Sequence, residues 1–160
     1  MSQPSIIRLT PEMLSQAHRF AARFIEDRDF THFRHTTPSQ MMNGKWEVYV
    51  ETMLDDTIVS WGQIEKFPNN PYKQHVCRLG FAVLPEFQDQ GYGSRMMDYI
   101  IDKCGSFSKM TATVYSDNKT MFNMFLQRGF VIEGFFVDEE RLDDKPRHVI
   151  SLAKRANNGS

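Results

Sequence analysis

Cysteine is scarce in this sequence, and the two present, Cys77 and Cys104, lie in no CxxC motif and at no metal-ligand spacing from a histidine. This scarcity argues against a disulfide framework and against a zinc site, and it fits a reducing compartment. Long apolar runs are also missing, since none approaches the roughly 20 residues that span a bilayer. The N-terminus lacks the basic and apolar segments of a signal peptide. We therefore expect a soluble, cytoplasmic protein that needs no metal.

Neither sign of charge is in excess, because 19 basic side chains face 20 acidic ones and the formal net charge is -1. A general electrostatic attraction to nucleic acid or to an anionic membrane is therefore not expected. Two phosphate-binding motifs are absent as well. No Gly-Lys-Ser/Thr of a Walker loop occurs, and a dinucleotide fingerprint starting at Gly91 would need a glycine where Met96 stands. These absences argue against nucleotide hydrolysis.

The 160 residues, 41% of them hydrophobic, are enough for one packed domain, which we place at residues 1–155 with a loose tail at 156–160. Alternating and helical spacings of apolar residues predict the elements along the chain. Strands are predicted at 6–9, 46–51, 57–64, 75–84, 109–115, 130–137 and 148–152. Helices are predicted from Thr10 to near Asp27 and at 92–104, with a short piece at 39–43. A further helical segment, capped by Ser116 or Asp117, carries Met121, Phe122, Phe125 and Leu126, and Gly129 is expected to end it in a left-handed conformation.

The stretch PEFQDQGYGSRMMDYI links the strand at 75–84 to the next helix, and the strand at 109–115 follows. A right-handed crossover makes these two strands parallel and puts the loop from Gln88 to Gly93 at the carboxyl end of the first. Backbone N–H groups at such a helix start can converge on an anion, although a turn that only caps the helix is an equal alternative. Gly80, inside the strand, marks a bulge or the close approach of a ligand or another backbone.

Two segments carry a resemblance to a known family. LGFAVLPEFQDQGYGSRMMDYI resembles the acetyl-CoA-binding core of the GCN5-related N-acetyltransferases, the GNAT family. VYSDNKTMFNMFLQRGF is similar to the family's later segment, with Val114, Asn118, Gly129 and Phe130 at matching spacing. The resemblance implies an α/β (α+β) domain with a mixed, mostly antiparallel sheet of about seven strands and about four helices. It also implies acetyl transfer from acetyl-CoA to a primary amine by direct attack, without a metal.

The resemblance assigns residues to the cofactor. The backbone of Phe81, Ala82 and Val83 would meet the pantetheine arm, and one N–H, which we take as that of Val83, would polarise the acetyl carbonyl. Asn118, Phe125 and Arg128 would flank the thiol end and the rest of the cofactor, although Asn118 is alternatively only a helix-start residue. The pyrophosphate would be wrapped by a loop of Gln88, Asp89, Gln90, Gly91, Tyr92, Gly93 and Ser94.

The sequence departs from the family pattern at two cofactor positions. Asp89 stands where relatives usually carry glycine, and we expect its carboxylate to cap the following helix rather than to face the pyrophosphate. Phe125 stands where many relatives have the tyrosine that protonates the departing thiolate. Tyr115 and Tyr92 are substitute donors, although either is also readily explained as a packing residue.

The general base is unassigned by the motifs. The places where relatives often carry a carboxylate hold Cys77, Leu79 and Thr113, and Thr113 weakens a ribosomal-protein N-terminus as substrate. Glu65 and Glu133 are the candidates that remain, each with a solvent-facing strand residue as the alternative.

The acceptor also stays open. A small amine such as an amino sugar, polyamine or amino acid is expected, with a peptide or protein amine, or a non-catalytic acyl-CoA-binding module, as alternatives. The acidic run from Asp138 to Asp144 either attracts a cationic acceptor or is a solvated hairpin. The aperiodic segment 28–45 either lines the site or is a packed connection, and its His32 and His35 lack the further ligands of a metal site. Dimers are common in the family, so a homodimer is one assembly the resemblance allows.

Overall fold

A computed structural model describes residues 5–156 and shows one mixed sheet of seven strands in the order β1-β2-β3-β4-β5-β7-β6. Every neighbouring pair is antiparallel except β4 and β5. The strands are β1 Ile6–Arg8, β2 Trp46–Thr52, β3 Ile58–Glu65, β4 Val76–Val83, β5 Lys109–Tyr115, β6 Val131–Leu142 and β7 Lys145–Arg155. The helices are α1 Leu14–Ala22, α2 Tyr92–Lys103 and α3 Lys119–Gln127, with 3-10 turns at Pro11–Met13, His32–Arg34, Ser39–Met41 and Pro85–Phe87. The predicted fold class is confirmed.

The two faces of the sheet carry separate cores, because successive side chains of a strand point to opposite faces. On one face Met96 and Ile100 of α2 pack with Ile64 and Leu79. On the other face α1 packs against β2 and β3, where the Phe20 ring stacks on Trp61 with 5.5 Å between centroids. Helices α1 and α2 thus pack on opposite faces of the strands β2, β3 and β4.

Helix α1 is shorter than predicted, since it ends at Ala22 rather than near Asp27. After it the chain tightens into turns, in which Phe24 donates its N–H to the carbonyl of Ala21. Phe24 is still buried, with 2% of its surface exposed. The helical spacing of apolar residues continued because the turn faces the same core, and not because the helix did.

The last two strands are longer than predicted, and they include the acidic segment that the apolar pattern assigned to a connection. β6 and β7 pair as far as Leu142 and Lys145, and Asp143 and Asp144 make the turn with φ values of 51° and 60°. The acidic run therefore belongs to a hairpin, as one of the two alternatives stated. Backbone ladder hydrogen bonds define these strand ends, and such bonds leave no apolar signature.

Three local predictions have different outcomes. Gly129 has a φ of 88° after α3, which confirms its left-handed conformation. The cap of α3 is neither Ser116 nor Asp117 but Asn118, whose side chain accepts a hydrogen bond from the Met121 N–H at 3.3 Å. The tail predicted at 156–160 lies outside the described residues from 157 onward. Within residues 5–156 no helix has the length and apolar character that crossing a bilayer requires.

Candidate active site

The two parallel strands at the centre of the sheet separate after a short paired stretch. β4 and β5 pair only from Val76–Arg78 to Lys109–Thr111. Beyond that point Leu79–Val83 and Thr113–Tyr115 line opposite walls of a cavity of about 970 Å³. Ligand sites typically measure about 300–1,000 Å³. The separation leaves one edge of β4 free to receive an extended ligand at the centre of the protein.

The backbone groups that face this gap follow from the β3–β4 register. Leu84 donates its N–H to the carbonyl of Val59 at 3.0 Å, and Ser60 lies opposite Val83. Because hydrogen-bonding directions alternate along a strand, Val83 and Phe81 direct their N–H and C=O groups away from β3, toward the gap. The Gln88 amide, which donates to the Val83 carbonyl at 3.2 Å, lies on this side. The cavity thus contains oriented backbone donors.

The loop before α2 borders the same cavity. Gly91 has a φ of 89°, and a Cβ at this position would lie 3.2 Å from Nη1 of Arg95. Within the described chain no side chain caps α2, so the N–H groups of its first turn are left for another acceptor. The predicted capping by Asp89 is wrong, because Asp89 is exposed and its backbone is left-handed, with a φ of 60°.

Most of the predicted cofactor residues border the cavity, and three do not. The lining includes Phe81, Ala82, Val83, Gln88, Asp89, Gly91, Gly93, Ser94, Asn118 and Phe125. Gln90 instead bonds the Glu86 carbonyl at 3.0 Å, and the Tyr92 ring packs edge-on against Phe87. Arg128 bonds Asp98 at 2.7 Å. Local contacts hold these three side chains outside the lining.

Gly80 lies in regular register opposite Gln63, so the predicted bulge is not present in β4. A Cβ at Gly80 would lie 2.9 Å from Nε2 of Gln63. The close approach at Gly80 that the structure shows is that of the Gln63 side chain. Trp61 donates from Nε1 to Oε1 of Gln63 at 2.9 Å, which fixes this amide across the cavity floor.

The thiol end of the predicted cofactor site holds two aromatic residues of different character. Phe125 is 2% exposed, and its ring centroid lies 4.9 Å from that of Phe130. The hydroxyl of Tyr115 lies 3.2 Å from Oγ1 of Thr31, and burial raises the pKa of Tyr115 above its ordinary value. Tyr115 therefore stays protonated at neutral pH and borders the cavity as a hydroxyl donor.

The structure separates the two candidate bases. Glu65, at the end of β3, borders the cavity, but Arg78 contacts its Oε1 at 2.9 Å and Lys45 its Oε2 at 2.9 Å. Glu133 is paired with Lys109 and lines a separate groove beside the ends of β6 and β7. β7 lies between β5 and β6 in the sheet, which keeps Glu133 away from the cavity. Glu133 therefore lies outside the cavity in which the other predicted site residues meet, contrary to the expectation that it acts there as a base.

The segment after α1 contributes residues that the motifs did not identify. Phe30, Thr31 and His32 line the cavity on the side of Trp46 and Gln63. Nε2 of His32 is shielded from solvent and has no hydrogen-bond partner among residues 5–156. Burial lowers the pKa of His32 below its ordinary value. The aperiodic aromatic composition indicated the segment as one of two alternatives, but no pattern distinguished His32 within it.

Arg147 of β7 joins this segment to Asp117, which follows β5. Its side chain contacts Asp117 at 2.6 Å and Asp29 at 3.2 Å, and it also donates to the carbonyl of Arg28. The contact with Arg147 lowers the pKa of Asp117. Sequence reasoning missed Arg147, which lay in the segment assigned to a polar connection. In residues 5–156 no group of three His, Cys, Asp or Glu side chains is placed to hold a metal ion.

Comparisons with known proteins agree on one family of enzymes. The model of the acetyltransferase (GNAT) family matches residues 14–130. A search of curated proteins found no match. Among solved structures, a GNAT-family acetyltransferase from Streptococcus pneumoniae is similar at a TM-score of 0.83 and 18% identity, over 96% of this chain and 100% of that one.

Two further structures are similar at lower identity. One is a GNAT-superfamily phosphinothricin acetyltransferase from Sinorhizobium meliloti in complex with acetyl-CoA, with a TM-score of 0.82, 12% identity and coverage of 96% and 89%. The other is a GCN5-related N-acetyltransferase from Kribbella flavida, with a TM-score of 0.79, 15% identity and coverage of 95% and 97%. At these identities the likeness shows the fold.

Proposed function

This chain belongs to the GNAT family of acetyltransferases, and from that premise we propose that it transfers acetyl from acetyl-CoA to a primary amine of a small molecule. The observation that carries the proposal is the separation of β4 from β5, which leaves the Val83 N–H directed into a cavity. The acceptors proposed are an amino sugar, a polyamine or an amino acid. A peptide or protein amine is the alternative within the same chemistry.

The free edge of β4 fits the extended arm of acetyl-CoA. An extended chain that carries amides can pair with the N–H and C=O groups of Phe81 and Val83, as peptides do when they add a strand to a sheet. The pyrophosphate would lie at the uncapped start of α2, near Gly91 and Gly93, where backbone N–H groups attract an anion. The Val83 N–H would then stabilise the negative charge that develops on the thioester oxygen during attack.

The remainder of the cavity fits a small acceptor better than a chain. Residues 28–32 cross this side of the cavity and are fastened by Arg147 to Asp117 and by Thr31 to Tyr115. A bound peptide needs an open groove, and this strap closes one direction of approach. Glu65, with both oxygens paired to cations, would act through its charge on the incoming ammonium rather than as the base itself.

Tyr115 is the proposed donor for the departing thiolate. Phe125 occupies a buried place against Phe81 and Phe130 and has no proton to give. The Tyr115 hydroxyl borders the same cavity. A positioned acid typically contributes about 10²- to 10⁴-fold to a rate, so its loss is measurable.

Thiol release from acetyl-CoA across a panel of amines, with calorimetric binding of CoA in parallel, tests the proposal. The panel should include phosphinothricin, amino acids, amino sugars, polyamines and short peptides. Turnover with a small amine supports the proposal, and turnover with peptides alone replaces the acceptor class. The absence of a hydroxyl at Phe125 also motivates a second candidate, an acyl-CoA-binding module, which binding without any turnover would favour. No binding of CoA would overturn both.

A further inference from the structure

We propose that His32 takes the proton from the acceptor's ammonium group before the amine attacks acetyl-CoA. This inference rests on the proposed acetyltransferase function and supplies the general base that the motifs left unassigned. It makes His32 a catalytic residue contributed by the segment between α1 and β2, which contains neither of the family-like motifs.

The first observation is an unpaired nitrogen beside the cavity. His32 lies in the 3-10 turn His32–Arg34, and its ring centroid lies 5.0 Å from that of Trp46 and 6.0 Å from that of Phe30. Its Nε2 is buried without a partner among the described residues. A buried polar atom without a partner is unfavourable, and in native proteins it calls for an explanation. In the proposal, the amine of an acceptor bound in the adjoining cavity is the partner that this nitrogen lacks.

The second observation is the electrostatic setting of the ring. The charged and titratable groups that face it are Glu65 of β3, Arg78 of β4, Lys45 before β2 and His35 of its own turn. Burial is the largest influence and lowers the pKa of His32, so the ring is neutral at pH 7 and ready to accept a proton. The Glu65 carboxylate opposes this shift and would stabilise the imidazolium once it forms.

The third observation is that carboxylates around this part of the cavity are already engaged. Glu65 is paired through both oxygens with Arg78 and Lys45. Oδ1 of Asp27 accepts two backbone N–H groups, from Asp29 and Phe30. Oδ1 of Asp29 contacts Arg147. His32 combines a place in the lining with an acceptor atom, Nε2, that has no partner among residues 5–156.

The acceptor enters as R-NH₃⁺ and gives one proton to His32, which becomes an imidazolium. The free amine nitrogen forms a bond to the acetyl carbonyl carbon, the C–S bond breaks, and the electron pair leaves with sulfur. The second proton of the nitrogen reaches the thiolate by way of the Tyr115 hydroxyl, which gives the amide and CoA thiol. His32 then returns its proton to solvent.

The test compares pH profiles of kcat/KM for wild type, His32→Gln and His35→Gln, with an amine on which wild type is active. Glutamine keeps polarity and similar size but cannot take the proton, and His35 is an exposed histidine in the same segment. We expect His32→Gln to lose about 10²- to 10⁴-fold at pH 7 and to recover as pH rises toward the amine's own pKa. Wild type and His35→Gln should instead level off below pH 7. Imidazole added to His32→Ala should restore part of the rate.

Several outcomes overturn the inference. An unchanged profile shape in a folded His32→Gln variant means that His32 only packs against Trp46. Wild-type inactivity on every amine overturns the proposed function together with this inference, whereas the unchanged profile overturns this inference alone. If His32→Gln does not fold, a measurement on the wild-type protein tests the inference instead. The pKa of His32 from an NMR titration must match the acid limb of the wild-type kcat/KM profile, and a disagreement of more than about one unit overturns the assignment.

Discussion

The guanidinium of Arg147 lies 3.6 Å from the centroid of the Tyr115 ring, so a residue of β7 covers the proposed acid of β5. Arg147 is 6% exposed, and it also fastens Asp29 and the Arg28 carbonyl to Asp117. One side chain thus joins residues 28–32, the strap over the proposed acceptor side of the cavity, to the end of the sheet. Replacing Arg147 should therefore weaken binding of the acceptor amine more than binding of acetyl-CoA.

We expect Arg147→Met to raise KM for the amine about tenfold, with a smaller change for acetyl-CoA. Stability should fall by about 1–2 kcal/mol, chiefly from the lost stacking on Tyr115, because Asp29 and Asp117 are more than half exposed and their ion pairs contribute little. Steady-state kinetics and urea unfolding measure both effects. Arg141→Met, which breaks an exposed pair with Asp138 on the same hairpin, is the control. Equal changes in both KM values would contradict the strap.

Tyr115→Phe should lower kcat by about 10²-fold or more, because it removes the hydroxyl while keeping the ring beneath Arg147. The matched control is Tyr92→Phe, whose ring packs on Phe87 outside the cavity lining and which should keep wild-type turnover. Adding Phe125→Tyr to Tyr115→Phe should restore part of the rate by supplying a hydroxyl at the neighbouring wall. Rapid-quench or steady-state thiol release provides the measurement. Full activity of Tyr115→Phe would remove Tyr115 from the reaction.

Asp89→Gly should bind acetyl-CoA as tightly as wild type or up to about tenfold more tightly. The change removes a carboxylate beside the proposed pyrophosphate place and relieves a side chain from a left-handed backbone, at a φ of 60°. Asp144→Gly is the control, since this aspartate has the same φ of 60° at the far tip of the β6–β7 hairpin. Calorimetry at two salt concentrations measures the affinity. A clear loss of affinity in Asp89→Gly would show that the carboxylate helps rather than hinders.

Arg95→Met should lower the free energy of unfolding, which urea unfolding measures. Glu51 is fully buried and contacts Arg95 at 3.1 Å, so removing the arginine leaves a buried carboxylate without its cation. We expect a loss of up to about 3 kcal/mol, at the low end for such pairs because Arg95 is 42% exposed. Adding Glu51→Gln should recover part of this loss. Arg8→Met, at an exposed pair with Glu47, should cost less than about 1 kcal/mol. Similar losses for both arginines would contradict the prediction.

Folding stability should fall as pH drops below about 6.5, and His32 should account for part of that fall. Burial lowers the pKa of His32 in the folded protein, so between this pKa and about 6.5 the unfolded chain binds more protons than the folded one. The contribution of neutral His32 to the free energy of unfolding is therefore fully present above about pH 6.5. It is lost as pH falls through the pKa of His32 in the folded protein. Urea unfolding from pH 5 to 8 should show a smaller slope for His32→Gln than for wild type. An identical slope would contradict the assignment of a buried, neutral ring.

Local order is what the amino-acid sequence determined. The pattern of apolar residues predicted β2 to β5 closely, and helical spacing predicted α2. Gly129 was placed correctly because a left-handed residue after a helix favours glycine. The loop from Gln88 to Gly93 and the later segment around Asn118 identified the family, because each motif spans only a short stretch of the sequence. These signals are local, and local spacing is what a sequence displays directly.

The tertiary structure decided which groups meet. The separation of β4 from β5 after Arg78 and Thr111 opens the cavity. No pattern of residues in the sequence predicts the point at which two paired strands separate. The order β5-β7-β6 removes Glu133 from the site and brings Arg147 onto Tyr115, although Glu133 is nearer to Tyr115 in sequence. His32, Trp46, Glu65 and Arg78 come from four separate parts of the chain. Their proximity follows from strand register and from the packing of a connection on the sheet, because side chains distant in sequence become neighbours only when the sheet forms.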